Sequence, residues 1–495
     1  MKKIFTLLAV IAMSLSAIAE DYTCNLAVTV YGEPSEKQVI NISCTKNEKG
    51  KYDITLKDFS FGPLPVGTIN VKDIDAEEED GNVVLTTKQN IVLEEGTFAG
   101  VPIPIVLEGY IWNGELAIRL KVPSVGVNVA LLNRETSIYG GDFEAWHKVG
   151  DYDEPNGWHG IKSGTGLASF AANGVTISDD VPETSKGTKS VKLQSTVALG
   201  ISANGTITTG RMAVGDIDPT NTKNNAFIDP ESTDVDGNGD PFFNVLKSRP
   251  TSLSLWYKFK IGEGNENPAM VKASLVDEGY YQDPVPAETT YDNLVAVAEQ
   301  TLEATDTWKK ITIPFDYASY ATNYADPASI LVTINTCSVP GGGSKSTDNP
   351  DVLLVDDVQL NYEPVITSIE LFDTPIPGFS QDKTEGYKMT VAEVPEKDEE
   401  EISVTCKDDI VVGTLSYYEP TTNILSISCY NEVLDLINTY KVELNIDPTG
   451  VNAVEGTSNN AVVGRYNLNG QSVSGAAKGM IITKYANGTV KKTLK

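Results

Sequence analysis

Histidine is almost missing: 495 residues carry two, His147 and His159. Histidine-assisted nucleophilic catalysis therefore has little to build on. No Gly-x-Ser-x-Gly elbow occurs, and Gly200-Ile201-Ser202-Ala203-Asn204 fails at its last position. With no cysteine nearby and no tight spacing, the two imidazoles read as loop polarity rather than as metal ligands. Positive charge is scarce as well, 38 Lys and Arg against 68 Asp and Glu, for a net charge of −30. Such a field repels phosphate backbones and anionic lipid, which excludes nucleic acid and membrane surfaces as partners and leaves neutral ligands and cations. Beyond the N-terminus no apolar run approaches the ~20 residues of a spanning helix, so no transmembrane segment is expected. Amphipathic helical stretches are missing too, and no motif for an organic cofactor appears. Gly341-Gly342-Gly343-Ser344-Lys345-Ser346 lacks the glycine before the lysine and the βαβ unit of a phosphate loop.

What is present begins with Lys2 and Lys3, an apolar run from Ile4 and the small-residue end Ala17-Ile18-Ala19. This is the pattern of a signal peptide over residues 1–19, and it predicts export. Losing the two lysines takes the net charge from −30 to −32. Five cysteines in an exported chain invite pairing. Cys24 and Cys44 share strand parity with apolar neighbours about a midpoint at Pro34. A hairpin turn there sets the two thiols face to face as a disulfide, with buried free thiols as the alternative.

Period-two alternation dominates. In Ser252–Ile261 it puts Leu253, Leu255, Tyr257, Phe259 and Ile261 on one face and Trp256 with Ser254, Lys258 and Lys260 on the other. Short strands punctuated by glycine and 25 prolines predict an all-β protein of several domains. Residues 20–135 read as a meander that a closed barrel would complete. Through that pattern and Phe59-Ser60-Phe61-Gly62 to Gly67-Thr68-Ile69, the segment resembles the calycin-like β-barrel domain of exported Bacteroidetes proteins.

Residues 136–362 open on Gly140-Gly141-Asp142-Phe143-Glu144-Ala145-Trp146, continue through Pro155-Asn156-Gly157-Trp158 and Gly187-Thr188-Lys189-Ser190, and close on Leu354-Val355-Asp356-Asp357-Val358. This order resembles a galactose-binding-like jelly roll, specifically the Bacteroidetes "putative carbohydrate metabolism domain" family, and implies a jelly-roll β-sandwich. Residues 363–450 read as an immunoglobulin-like sandwich. From 451 to 495 the charge turns to +5. There, Tyr466-Asn467-Leu468-Asn469-Gly470-Gln471 and Asn487-Gly488-Thr489-Val490-Lys491-Lys492 resemble the sorting tails of type IX secretion cargo. That resemblance implies export machinery as a partner and a cell-surface or extracellular endpoint, with the periplasm as the alternative.

Two calcium sites are candidates. Asp234, Asp236 and Asn238 stand at the first, third and fifth positions of a calcium-loop pattern, but Val245 holds the twelfth, and a polar turn is the plainer reading. The jelly-roll resemblance implies a structural calcium shared by Glu144 and Asp356 or Asp357. Sugar binding needs aromatic faces beside polar groups. Trp256 on its polar face and Trp158, Tyr280 and Tyr281 in rim loops are the candidates, while Trp308 is expected in the core. Acid pairs for glycoside hydrolysis are expected by chance among 68 acids. The sequence thus predicts a non-catalytic surface protein that binds an oligosaccharide or polysaccharide. A glycoside hydrolase and a structural or adhesive protein are the alternatives.

Overall fold

The computed structural model describes residues 19–494 other than 80–81, 113, 199, 321–324, 397, 448–461, 467–479 and 486–489. The expected signal peptide, apart from Ala19, and most of the tail motifs lie outside the described residues. The protein is all-β: among the described residues the single α-helix is the one turn Asp398–Glu401. No helix among them is long and apolar enough to cross a membrane. Two compact units divide the chain, residues 1–134 with 371–402 and 413–452, and residues 135–370 with 403–412 and 453–495.

The first unit opens with eight strands, β1 (Ala19–Val30), β2 (Gln38–Lys46), β3 (Tyr52–Phe61), β4 (Leu64–Glu79), β5 (Asn82–Val92), β6 (Pro102–Trp112), β7 (Glu115–Val122) and β8 (Val127–Asn133). Each pairs with the next, and β8 returns to β1 from Asn25↔Leu132 to Val30↔Val127, closing a barrel without exposed edges. Eight strands leave an interior about wide enough for their own side chains. Here it holds Cys24, Ile42, Cys44, Ile54, Val71, Ile74, Leu85, Ile105, Leu107, Leu116 and Ile118, all buried. The expected Cys24–Cys44 bridge is not formed, and both side chains are buried thiols. The turn falls at Tyr31-Gly32, both with positive φ, and not at Pro34. Cys24 therefore lies opposite Ile40, and Cys44 opposite Glu20.

The same unit contains β9 (Tyr387–Val391), β10 (Gly413–Glu419), β11 (Ile424–Tyr430) and β12 (Leu436–Ile446), in the sheet order β9-β12-β11-β10. Arg134, at the end of the barrel, donates to Glu115 and to Glu432, 3.2 Å each, and all three side chains are nearly covered. Ala27 of β1 packs with Leu415, Tyr430 and Leu434, so an apolar contact accompanies the ion pairs.

In the second unit two sheets carry the core. One consists of the strands Val175–Ser178, Ser190–Gln194, Val352–Asn361, Ser252–Lys260 and Thr305–Pro314, in that spatial order. The other runs Thr206–Thr208, Ser329–Asn335, Ala269–Val276 and Leu294–Leu302, with Asn244–Val245 also paired to Ser329–Asn335. Leu253, Leu255, Tyr257 and Phe259 of the first sheet are buried, as are Val271, Ala273, Leu275, Val332 and Ile334 of the second, the inner faces of a β-sandwich. Gly141 fastens the opening of this unit to its closing strand. Its carbonyl accepts from the Val358 amide at 2.8 Å, and a Cβ at position 141 would stand 2.2 Å from the Val358 oxygen. Val462–Tyr466, Met480–Tyr485 and Val490–Leu494 make a three-stranded antiparallel sheet.

Candidate functional site

The outer face of the five-stranded sheet gathers groups that a structural face does not require. Alternation along Ser252–Lys260 sends the apolar set inward and leaves Trp256 and Lys258 half-buried outside. Register then assembles the neighbours. Trp256 stands opposite Lys310 on one flanking strand and Asp356 on the other. Lys192, Leu354 and Lys258 form a row across the next position. Trp308 lies two residues before Lys310, and its indole reaches the same Asp180 carboxylate as Lys258, which sets it on the side of the sheet that carries Trp256.

The expectation that Trp308 is core is overturned, and parity is the reason. Ile311 and Ile313 are buried at odd positions, whereas Trp308 at an even one is half-buried and faces out. Its Nε1 donates to Asp180 Oδ1 at 2.8 Å, and Lys258 Nζ donates to the other carboxylate oxygen at 2.8 Å. The bond from Lys258 is the main reason the Asp180 carboxyl is held below the usual range. The result is an indole and an ammonium fixed in orientation by one carboxylate, beside a second indole.

The other aromatic candidates are not brought to this face. Trp158 is fully buried against the Phe143 ring, 5.2 Å away, and is not at a rim. Tyr281 is likewise buried, packed with Ala226, Ile228, Val276 and Leu331. Both are therefore corrected to core residues: the loops on which the sequence placed them close over their rings. Tyr280 is 41 % exposed and stacks on Phe227 at 5.8 Å, next to a different sheet.

The acidic candidates differ in what they meet. Glu144 Oε1 accepts from the amides of Thr188 and Lys189, 2.8 Å each, and Oε2 accepts from the Thr188 hydroxyl at 3.1 Å. Burial opposes its charge, but these amides outweigh burial and lower its pKa. Asp356 is fully buried, and its Oδ2 has no hydrogen-bond partner. Burial first and the Asp357 charge second push its carboxyl up to about 7. Asp357 is raised as well, again chiefly by burial. Glu144 thus ties the opening loop to 188–189 through backbone amides. Asp234 pairs with Arg211 at 2.6 Å, Asn238 donates to Asp240, and Asp236 faces the two histidines. Among the described residues no group of three or more His, Cys, Asp or Glu side chains could hold a metal ion.

Comparison with known proteins gives a calycin-like beta-barrel domain over residues 18–131. No curated protein matches the chain. Among solved structures, a "putative glycoside hydrolase" from Bacteroides thetaiotaomicron aligns at 13% identity over 71% of this chain and 98% of its own, with a TM-score of 0.32. A structure of carbohydrate-binding modules from the beta-sandwich superfamily aligns at 9% identity over 58% and 96%, with a TM-score of 0.21. A "putative sugar binding protein" from the same Bacteroides species aligns at 13% identity over 46% and 94%, with a TM-score of 0.20. TM-scores this low do not establish a shared fold.

Proposed function

We propose that the protein is an exported, non-catalytic glycan-binding protein of the bacterial surface, and that its binding surface is the outer face of the five-stranded sheet. The observation that carries this reading is the pair Trp256 and Trp308 on one solvent-facing side of a β-sheet, with Lys258 and Asp180 fixed beside them. Apolar C–H faces of a pyranose stack on indole rings, and the sugar hydroxyls at the ring edge need donors and acceptors at fixed positions. Lys192, Lys258 and Lys310 supply donors and Asp180 an acceptor. A sheet presents these groups rigidly, so little ordering entropy opposes binding.

The non-catalytic part of the reading rests on the acids. Asp356, opposite Trp256, has a raised pKa like that of a general acid, yet its side chain is sealed from solvent and cannot reach a glycosidic oxygen, and both oxygens of the Asp180 carboxylate are taken by Lys258 and Trp308. Export rests on the Lys2–Ala19 pattern, and surface delivery by a type IX-like tail rests on the motifs after 451. The jelly-roll family assignment for 136–362 belongs to the same proposal.

The test is calorimetric titration of the full chain with neutral oligosaccharides identified on a glycan array, repeated with Trp256→Ala and Trp308→Ala. Each truncation is expected to cost about 1–3 kcal/mol of binding. An array without ligands, or a ligand indifferent to both substitutions, removes the proposal.

A further inference from the structure

Resting on the glycan face proposed above, we infer that the sugar it prefers carries an anionic substituent, a carboxylate or a sulfate ester, which Lys192, Lys260 and Lys310 recognise by charge. Strand register places these lysines. Three successive outward rows cross the middle of the five-stranded sheet: Gln194, Val352 and Lys260, then Lys192, Leu354 and Lys258, then Asp356, Trp256 and Lys310. Of these nine residues four are lysines and one is an acid, and that acid, Asp356, is fully buried. The whole chain has 68 acids to 38 bases. Around Trp256 the sheet therefore inverts the sign of the molecule.

The four lysines differ in what they already hold. Lys258 is neutralised by Asp180 at 2.8 Å. Lys192, Lys260 and Lys310 form no ion pair among the described residues, although the Lys310 charge is felt by the nearby Asp357 carboxyl. Lys260 and Lys310 are exposed and Lys192 is half-buried, so all three ammonium groups can reach a ligand. Adjacent strands lie about 4.8 Å apart, which sets the Lys192 and Lys258 backbones about 10 Å from each other across Leu354. Lysine stems lie along such an apolar floor and keep their charged ends in water.

Division of labour follows from the chemistry. An indole takes the C–H face of a pyranose, and a substituent at the ring edge then meets the ammonium groups beside it. Lysine is a compact point charge, which suits a single carboxylate or sulfate without demanding the planar, two-point geometry of arginine. The net charge of −30 slows the approach of a densely charged polyanion. At physiological salt, however, charges beyond about 8 Å are screened, and the potential at contact is set by the lysines of this face. The fitting ligand is an otherwise neutral glycan with isolated acidic residues. Exposed ion pairs are weak singly, so three together favour the acidic sugar by about tenfold.

The experiment is calorimetry of the full chain with matched oligosaccharides. Oligogalacturonate is compared with its methyl ester, glucuronate-bearing chains with their glucose counterparts, and 6-sulfated chains with unsulfated ones. In at least one pair the acidic member should bind about tenfold more tightly at low salt, with the advantage shrinking as salt is added. A lead in the carboxylate pairs identifies a uronate, and a lead in the sulfate pair identifies a sulfate ester. The double variant Lys192→Gln/Lys310→Gln keeps hydrogen-bond donors and removes charge, so the acidic-to-neutral affinity ratio should fall toward one. Loss of donors alone would weaken both members alike. Equal binding within every pair, or a preference that survives the double variant, overturns the inference. If the neutral members still bind through Trp256 and Trp308, the glycan face stands without it, and if no member binds, both fall.

Discussion

Replacing Asp356 by Asn should make the protein more stable at neutral and alkaline pH. The carboxyl is fully buried, Oδ2 has no partner, and its pKa stands at about 7 against an ordinary 3.8. For an acid whose folded pKa is raised, the folded state holds the proton more tightly. The associated stability is complete below the unfolded pKa and is lost as pH climbs through the folded one. The window therefore opens near pH 4 and closes near pH 7. A shift of about three units corresponds to about 4 kcal/mol at full extent. Asp357 is raised too and shares the repulsion, so about 2–4 kcal/mol is the expected gain for the single substitution. Asn keeps an oxygen for the Asp357 amide, which donates to Asp356 Oδ1 at 2.8 Å. Four of the five tryptophans, Trp146, Trp158, Trp256 and Trp308, lie within residues 135–370, so indole fluorescence during heating reports mainly on that region. Melting curves at pH 4, 6 and 8 should show a gap between variant and native protein that widens with pH and levels off above 7. A variant no more stable than the native protein at pH 8, or a gap independent of pH, refutes the reasoning.

Glu144→Gln should destabilise by about 1–3 kcal/mol at pH 7, since an acceptor of charge-assisted bonds from Thr188 and Lys189 is weakened. Its pKa is lowered, so the loss should shrink as pH falls through the carboxylate range, read by the same melting curves. Cys24 and Cys44, each pushed up to about 12 mainly by burial, should resist alkylation in the native protein and react fully in denaturant without reductant. Resistance in denaturant would restore a disulfide. Deleting residues 451–495 should remove the protein from the cell surface, and surface labelling equal to that of the full chain would refute the tail's role.

The strand Ser252–Lys260 was legible because period-two alternation is a local property, and Trp256 was placed on the correct face by counting alone. The same count applied to Trp308 would have set it outward with Lys310. Its place at the head of a strand whose Ile311, Ile313 and Phe315 face inward pointed to the core instead. Trp158 and Tyr281 were misplaced for a different reason, as their burial depends on Phe143 and on the cluster around Ala226 and Leu331, contacts that no local pattern announces. The Cys24–Cys44 pairing failed because a turn of two positive-φ residues at Tyr31-Gly32 shifts the whole register. Asp236 and the two histidines were each visible as isolated features. Their convergence from positions 147, 159 and 236 is a tertiary fact, and the two motifs could not be joined by spacing.

The central claim is the glycan-binding face. Its most direct test is the dissociation constant of the full chain for an array-selected neutral oligosaccharide, compared with those of Trp256→Ala, Trp308→Ala and the control Tyr280→Ala. The first two should weaken binding about 5–150-fold, equivalent to about 1–3 kcal/mol, with the melting curve retained and the control unchanged. Equal affinities for the native protein and both tryptophan variants, or loss of binding with Tyr280→Ala alone, would contradict the assignment.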